Sequence, residues 1–251
     1  MGNEIQKSDK KSVSIASNSS AIDNINALRA GQKAALSKTE LARQFSQLVL
    51  FVLDGSFSMK RKGTSGFSRG EEVHNSVLKV IERLQKSKNR SSFDVGFWAF
   101  AEESIEMYSI RQVKQFNIKD DSFNPCKVIN KGNGTRLFET LQSLELIINN
   151  YLHEHKDLNR KVLVIILSDG EIHDYEEVIA IKSKLQSKDV VFSSIFYESI
   201  DWEDFFDELD LNEIKENLSN LASEEAYYLS SVDPEKIRQH MIQSVTKISN
   251  V

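Results

Sequence analysis

The sequence predicts an α/β protein built on a doubly wound, mainly parallel central sheet, with one antiparallel edge strand and helices on both faces. Two stretches carry most of that prediction. Leu48-Val49-Leu50-Phe51-Val52-Leu53 and Val162-Leu163-Val164-Ile165-Ile166-Leu167 are apolar at every position, as strands covered on both faces must be. Around them, segments with helical apolar spacing alternate with shorter strand-like ones, and that rhythm selects parallel strands joined by helical crossovers. Sheets of this kind take their ligands beyond the carboxyl ends of the strands. The chain carries no internal repeat.

Taken in order, residues 1–20 are rich in Ser, Lys and Asn, offer little to bury, and read as a disordered tail. Residues 21–47 read as a helical extension, because Ile22, Ile25, Leu28, Leu36, Leu41 and Phe45 are roughly helix-spaced around a break near Gly31. The first strand runs from Leu48 and ends on Asp54. Val73, Val77, Val80, Ile81 and Leu84 then mark one face of a helix over about 71–85. Residues 93–100 and 104–113 read as strands, and the Ala101-Glu102-Glu103 link between them is short enough to join only antiparallel neighbours. A helix over 136–152 leads to the second buried strand at 161–168. Another helix follows over 175–186, with Asp174 as its expected N-cap. A strand at 190–197, a helix at 212–221, a short strand at 226–229 and a helix at 234–248 with Pro234 in its first turn complete the alternation.

Composition narrows the function. A chain of 251 residues with 40% hydrophobic and 27% charged side chains lies in the ordinary globular range. Such a chain buries roughly 70% of the surface its unfolded form exposes, so a metal ion would serve function rather than folding. Cys126 is the sole cysteine, which excludes an intrachain disulfide and suits a reduced compartment, so a cytoplasmic location is expected. The opening residues lack the apolar core of a signal peptide, and no run approaches the ~20 residues of a membrane span, so no membrane partner is expected. Gly2 invites lipidation, but Gln6 stands where that pattern needs Ser or Thr. The net charge of −5 argues against a nucleic-acid partner, which would require a basic face.

Three polar clusters fall at the loop edge of the expected sheet. Asp54-Gly55-Ser56-Phe57-Ser58 follows the first buried strand, Gly132-Asn133-Gly134-Thr135 precedes a helix, and Ser168-Asp169-Gly170-Glu171 follows the second buried strand. Brought together, two carboxylates and three hydroxyls supply hard oxygen ligands, which suit Mg²⁺ or Mn²⁺ and not metals that prefer Cys and His. Taken singly, each cluster has a plainer reading: serines after a strand often cap or turn, and Asp-Gly is a common turn. The spacing with Asp54 and the agreement of the three loops outweigh it. Glu171 and His173 read as solvated loop residues, and so does the basic run Lys60-Arg61-Lys62, which could otherwise steer an acidic partner. His153 and His155 are too close on one helix to share a face, so they make no zinc pair.

With Asp54, Ser56 and Ser58 in a D-x-S-x-S pattern, Thr135 in a Gly-rich loop and Asp169 before Gly170, the chain resembles the von Willebrand factor A (VWA) domains and their metal-ion-dependent adhesion site. The resemblance covers residues 48–251 as the VWA domain and is to the intracellular bacterial adapter type. It implies that Ser56 and Ser58 bind the cation directly, Thr135 directly or through water, and Asp54 and Asp169 mostly through water. It also implies that a partner's Asp or Glu carboxylate fills the open position. By analogy the chain belongs in a multi-protein stress or signalling assembly, such as the tellurite-resistance type. The alternatives are a structural subunit whose metal only holds its own loops and, further off, a metal-dependent phosphatase-type enzyme. Ser56 stands where the dehalogenase-type phosphatases carry their general acid. The nucleophile elbow, dinucleotide fingerprint and Walker motif are all absent from the sequence. The chain therefore reads as a binding module and not an enzyme. One further segment, 201–211, is acidic yet places Trp202, Phe205, Phe206 and Leu209 on one helical face, as a docking surface or a helix laid on the domain would.

Overall fold

Burial on both faces is what the two apolar runs require, and the central sheet supplies it. The computed structural model describes residues 45–154, 159–199 and 208–249. Its strands are β1 (Phe45–Asp54), β2 (Phe93–Phe100), β3 (Ser104–Gln112), β4 (Asn159–Ser168), β5 (Val190–Tyr197) and β6 (Tyr228–Ser231). They lie in the order β3-β2-β1-β4-β5-β6. Every pairing is parallel except β2 with β3, the antiparallel edge expected from the short link between them.

Alternate residues of β1 feed two separate cores. Val49, Phe51 and Leu53 pack with the apolar face of α1 (Arg69–Lys86) and with Ile237, Met241, Val245 and Ile248 of α5 (Pro234–Ser249). Leu48, Leu50 and Val52 face α2 (Phe138–His153), α3 (Tyr175–Leu185) and α4 (Glu208–Leu221), through Leu141, Leu144, Val178, Ile181, Ile214 and Leu218. Helices thus cover both faces of one sheet, as in doubly wound folds. The long connection 113–137 is pinned by its own aromatics: Phe97 on β2 packs against Phe116 and Phe123 at ring separations of 5.4 and 4.6 Å.

The structure moves several expected boundaries, for physical reasons. β1 begins at Phe45, ahead of Leu48, because its polar residues find partners: Gln47 is fully buried and donates to the Val245 carbonyl at 3.3 Å, and the Ser46 and Tyr151 hydroxyls lie 2.6 Å apart. The rest of the expected extension, and the tail before it, lie outside the described residues. So do Trp202, Phe205 and Phe206 of the acidic aromatic segment, while α4 starts at Glu208, earlier than expected. A 3-10 turn at Glu225–Tyr227 displaces β6 to Tyr228–Ser231. Asp174 is the N-cap residue of α3, its carbonyl accepting from the Val178 N–H at 3.0 Å, but its side chain makes no capping bond to that helix. Its carboxylate accepts from the backbone N–H groups of Leu137 and Phe138 at 2.9 and 3.0 Å, and so caps α2 from a distant loop.

Candidate metal centre

β1 and β4 are parallel neighbours, paired up to Leu53 with Leu167, and the connections leaving them run to opposite sides of the sheet. A doubly wound sheet opens its ligand crevice at such a reversal. Asp54 ends β1 and Ser168 ends β4, with Asp169 the next residue, so the register itself brings the first and third polar clusters together.

The groups form one hydrogen-bonded chain. Asp54 is fully buried; its Oδ1 accepts from the Ser56 backbone N–H at 2.8 Å and its Oδ2 from Ser168 Oγ at 2.6 Å. The Ser56 and Ser58 hydroxyls lie 2.8 Å apart, and Ser58 Oγ donates to Asp169 Oδ1 at 2.6 Å. Asp169 is itself buried, and its other oxygen takes Arg69 Nη1, while Arg69 Nη2 donates to Ser199 Oγ.

Thr135 enters by its backbone. The His173 N–H donates to the Thr135 carbonyl at 2.9 Å, and the Thr135 N–H points to His173 Nδ1 at 3.4 Å, which joins the Gly-rich loop to the loop after β4. The Phe57 N–H donates to the Gly132 carbonyl at 2.9 Å and joins the Gly-rich loop to the first cluster. Two glycines permit this closeness: a Cβ on Gly55 would meet Ile129 Cγ1 at 2.6 Å, and one on Gly132 would meet the Phe57 ring at 2.9 Å.

Two buried carboxylates this close disfavour joint ionisation. Burial first, and then the Asp169 charge, push Asp54 up to about 7, against the pull of its bonds from Ser168 and Ser56. Burial pushes Asp169 up too, opposed by Arg69 and Ser58. A divalent cation between them would remove that conflict, and the paired hydroxyls offer it neutral hard oxygens, so the residues present fit Mg²⁺ or Mn²⁺. A soft metal finds less here. Burial, and then Asp54, raise the half-buried Cys126 thiol to about 12, which keeps it protonated. Among the described residues no group of three or more His, Cys, Asp or Glu is placed to hold a metal.

Glu171 and the Lys60-Arg61-Lys62 run are exposed. His173 is exposed too, but it holds Thr135 in place. His153 ends α2, and His155 lies outside the described residues. Sequence reasoning missed Arg69 and Ser199. The capping box of Ser68 and Glu71 marks where α1 starts and so places Arg69 beside the site, but only the fold shows that its guanidinium meets Asp169.

Comparison with known proteins bears on the fold and the family. A search of curated proteins returns no match. Among solved structures, the chain is similar to proximal thread matrix protein 1 from the mussel byssus, with 18% identity, a TM-score of 0.53, and coverage of 80% of this chain but only 45% of that one. A further structure of that matrix protein is described as having a zinc-occupied MIDAS motif. The pilus adhesin SpaC of Lactobacillus rhamnosus GG matches with 12% identity and a TM-score of 0.62, over 83% of this chain and 32% of that one. The conserved protein BatB of Bacteroides thetaiotaomicron matches with 18% identity and a TM-score of 0.54, over 82% of this chain and all of its own length. At these identities the likeness concerns the fold. The family profile for the von Willebrand factor type A domain matches residues 49–243, most of the described fold and all three loops of the site, and the chain belongs to that family.

Proposed function

We propose that this chain is a non-enzymatic interaction module that grips a partner's Asp or Glu carboxylate through Mg²⁺ or Mn²⁺ held by Ser56, Ser58 and Thr135, with Asp54 and Asp169 behind them. The observation that carries the reading is the Ser56 and Ser58 hydroxyl pair, 2.8 Å apart, set between two buried carboxylates at the reversal point of the sheet. A bound divalent ion would supply an electrophilic position whose charge neutral hydroxyls leave undersaturated, and which an anion completes.

The chain's own residues prepare that encounter. Asp54 orients the first loop by taking the Ser56 N–H. Phe57 is about half exposed at 46%, and Lys60 Nζ sits 4.5 Å over its ring. The rim therefore offers an apolar plate and cationic charge, suited to an acidic segment. No general base or nucleophile is called for.

The purely structural role for the metal is disfavoured by the backbone bonds that already join the loops: Phe57 to Gly132, His173 to Thr135, and Gly55 N–H to the Phe100 carbonyl at 2.8 Å. Among the described residues no helix is long and apolar enough to cross a membrane. A cytoplasmic setting in a multi-protein stress or signalling assembly belongs to the same proposal.

The test has two stages. Calorimetry should show Mn²⁺ binding to the chain and its loss in the Ser56→Ala, Ser58→Ala double variant with the circular dichroism spectrum unchanged. Complexes captured in Mg²⁺ should dissociate in EDTA, and substituting the partner's central Asp or Glu by Asn or Gln should weaken them only when metal is present. Equal loss in Mg²⁺ and EDTA would overturn the bridging role.

A further inference from the structure

We infer that Arg69 is a built-in counter-charge of the metal centre: it stabilises the metal-free site and thereby lowers the affinity for the divalent cation. The inference rests on the metal reading of the same site. Arg69 is 3% exposed, contacts Asp169 Oδ2 through Nη1 and donates to Ser199 Oγ through Nη2. Water therefore screens its charge poorly.

Its placement is built by more than one element. Residues 61–69 double back as a hairpin, with Lys62 bridged to Ser68, the Gly63 N–H donating to the Phe67 carbonyl at 2.7 Å and the Arg69 N–H to the Arg61 carbonyl at 3.0 Å. Gly66 makes the bend at φ 87°. Buried Glu72 clamps the hairpin to the sheet, accepting from the Ser65 N–H at 2.7 Å and from the Tyr197 hydroxyl. The guanidinium is thus held against Asp169 from the α1 side and from the chain after β5.

Held there, Arg69 favours the two states of the site unequally. Without the cation it pairs directly with a carboxylate buried beside Asp54, on which Arg61 exerts a weaker pull. With the cation present it is a fixed like charge next to a divalent ion. A group that favours the empty state over the loaded one lowers affinity by that difference, and the sign follows from charge rather than shape.

The experiment compares wild type, Arg69→Gln and Arg69→Lys in full-length protein, titrated with Mn²⁺ by calorimetry at fixed ionic strength, with melting temperatures in EDTA and in saturating Mn²⁺. Arg69→Gln should bind Mn²⁺ at least tenfold more tightly, melt lower than wild type in EDTA and regain that loss in Mn²⁺. Arg69→Lys keeps the charge and should stay within a few-fold of wild-type affinity, which a merely structural role for the guanidinium fork would not allow. If Arg69→Gln is unfolded in EDTA and folded in Mn²⁺, the inference is supported; unfolded in both, or with equal or weaker affinity, it is overturned while the metal reading stands. Silence of wild type and both variants toward Mn²⁺ would overturn the metal reading and the inference with it.

Discussion

Asp169 faces Ser58 through one oxygen and Arg69 through the other, so its truncation removes more than a metal contact. Asp169→Ala leaves a buried guanidinium without its carboxylate, a change that costs about 3–5 kcal/mol. Unfolding by guanidinium chloride in EDTA should show that loss, and adding Arg69→Met should return a large part of it; additive losses in the double variant would show that the two side chains are not coupled. Asp54→Asn should act oppositely, because Asp54 is held up to about 7 by burial and by Asp169. In EDTA at pH 8 it should raise the melting temperature, and Mn²⁺ should then stabilise it less than wild type. That Asp54, Ser56, Ser58 and Asp169 share one loop edge was legible in the sequence because they follow the two apolar runs, while Thr135 joins that edge through its backbone. Arg69 was not legible, since its contact with Asp169 spans 100 positions and no local pattern encodes such a pairing.

Periodicity delivered the helices and strands where one face is buried, and failed where a tertiary partner decides. Alternation of Val49, Phe51 and Leu53 with Leu48, Leu50 and Val52 between two cores was implied by an uninterrupted apolar run. The start of β1 at Phe45 was not, because Ser46 and Gln47 look solvent-bound until Tyr151 and Val245 are seen to take their hydrogen bonds. Asp174 stands at the N-cap of α3 as its position before that helix implies, but for the same reason the destination of its carboxylate was not legible: it closes the N-terminus of α2. Asp174→Ala should therefore cost about 1 kcal/mol, the usual value of a lost cap. It should also loosen the residues before α2, so amide exchange should quicken at Leu137 and Phe138 and remain unchanged at the start of α3. Faster exchange at α3 instead would show that the carboxylate serves the helix it precedes.

Across the whole molecule, the alternation of elements gave the parallel sheet, but not the order of its strands. That β4 lies beside β1 follows from which crossover passes on which face, a matter of helix packing no single segment states. The same packing buries a histidine that couples global stability to pH. His240 on α5 is 8% exposed, with Nε2 placed 3.1 Å from Ser193 Oγ and 3.2 Å from the Tyr227 carbonyl, and Ser193 Oγ lies 3.1 Å from Ser244 Oγ. Burial holds its pKa below the ordinary histidine value, opposed by the hydrogen bond to Tyr227, while Lys247 also disfavours the charged form. The folded state therefore binds fewer protons than the unfolded one below about pH 6.5, the ordinary histidine pKa. The stability it contributes is fully present above that pH and falls as pH drops toward the lowered folded value. Asp54 acts in the other direction in the metal-free protein, since its raised pKa makes folding bind a proton between about pH 4 and 7 and so favours the acid side. Comparison at fixed EDTA separates the two. His240→Gln keeps an amide that can donate to Tyr227 but cannot take up a proton, so its melting temperature should drop less than that of wild type between pH 7.5 and 5.5, and the gap between the two proteins should narrow or reverse on acidification. A gap that is constant with pH would show that His240 does not titrate differently in the folded and unfolded chains.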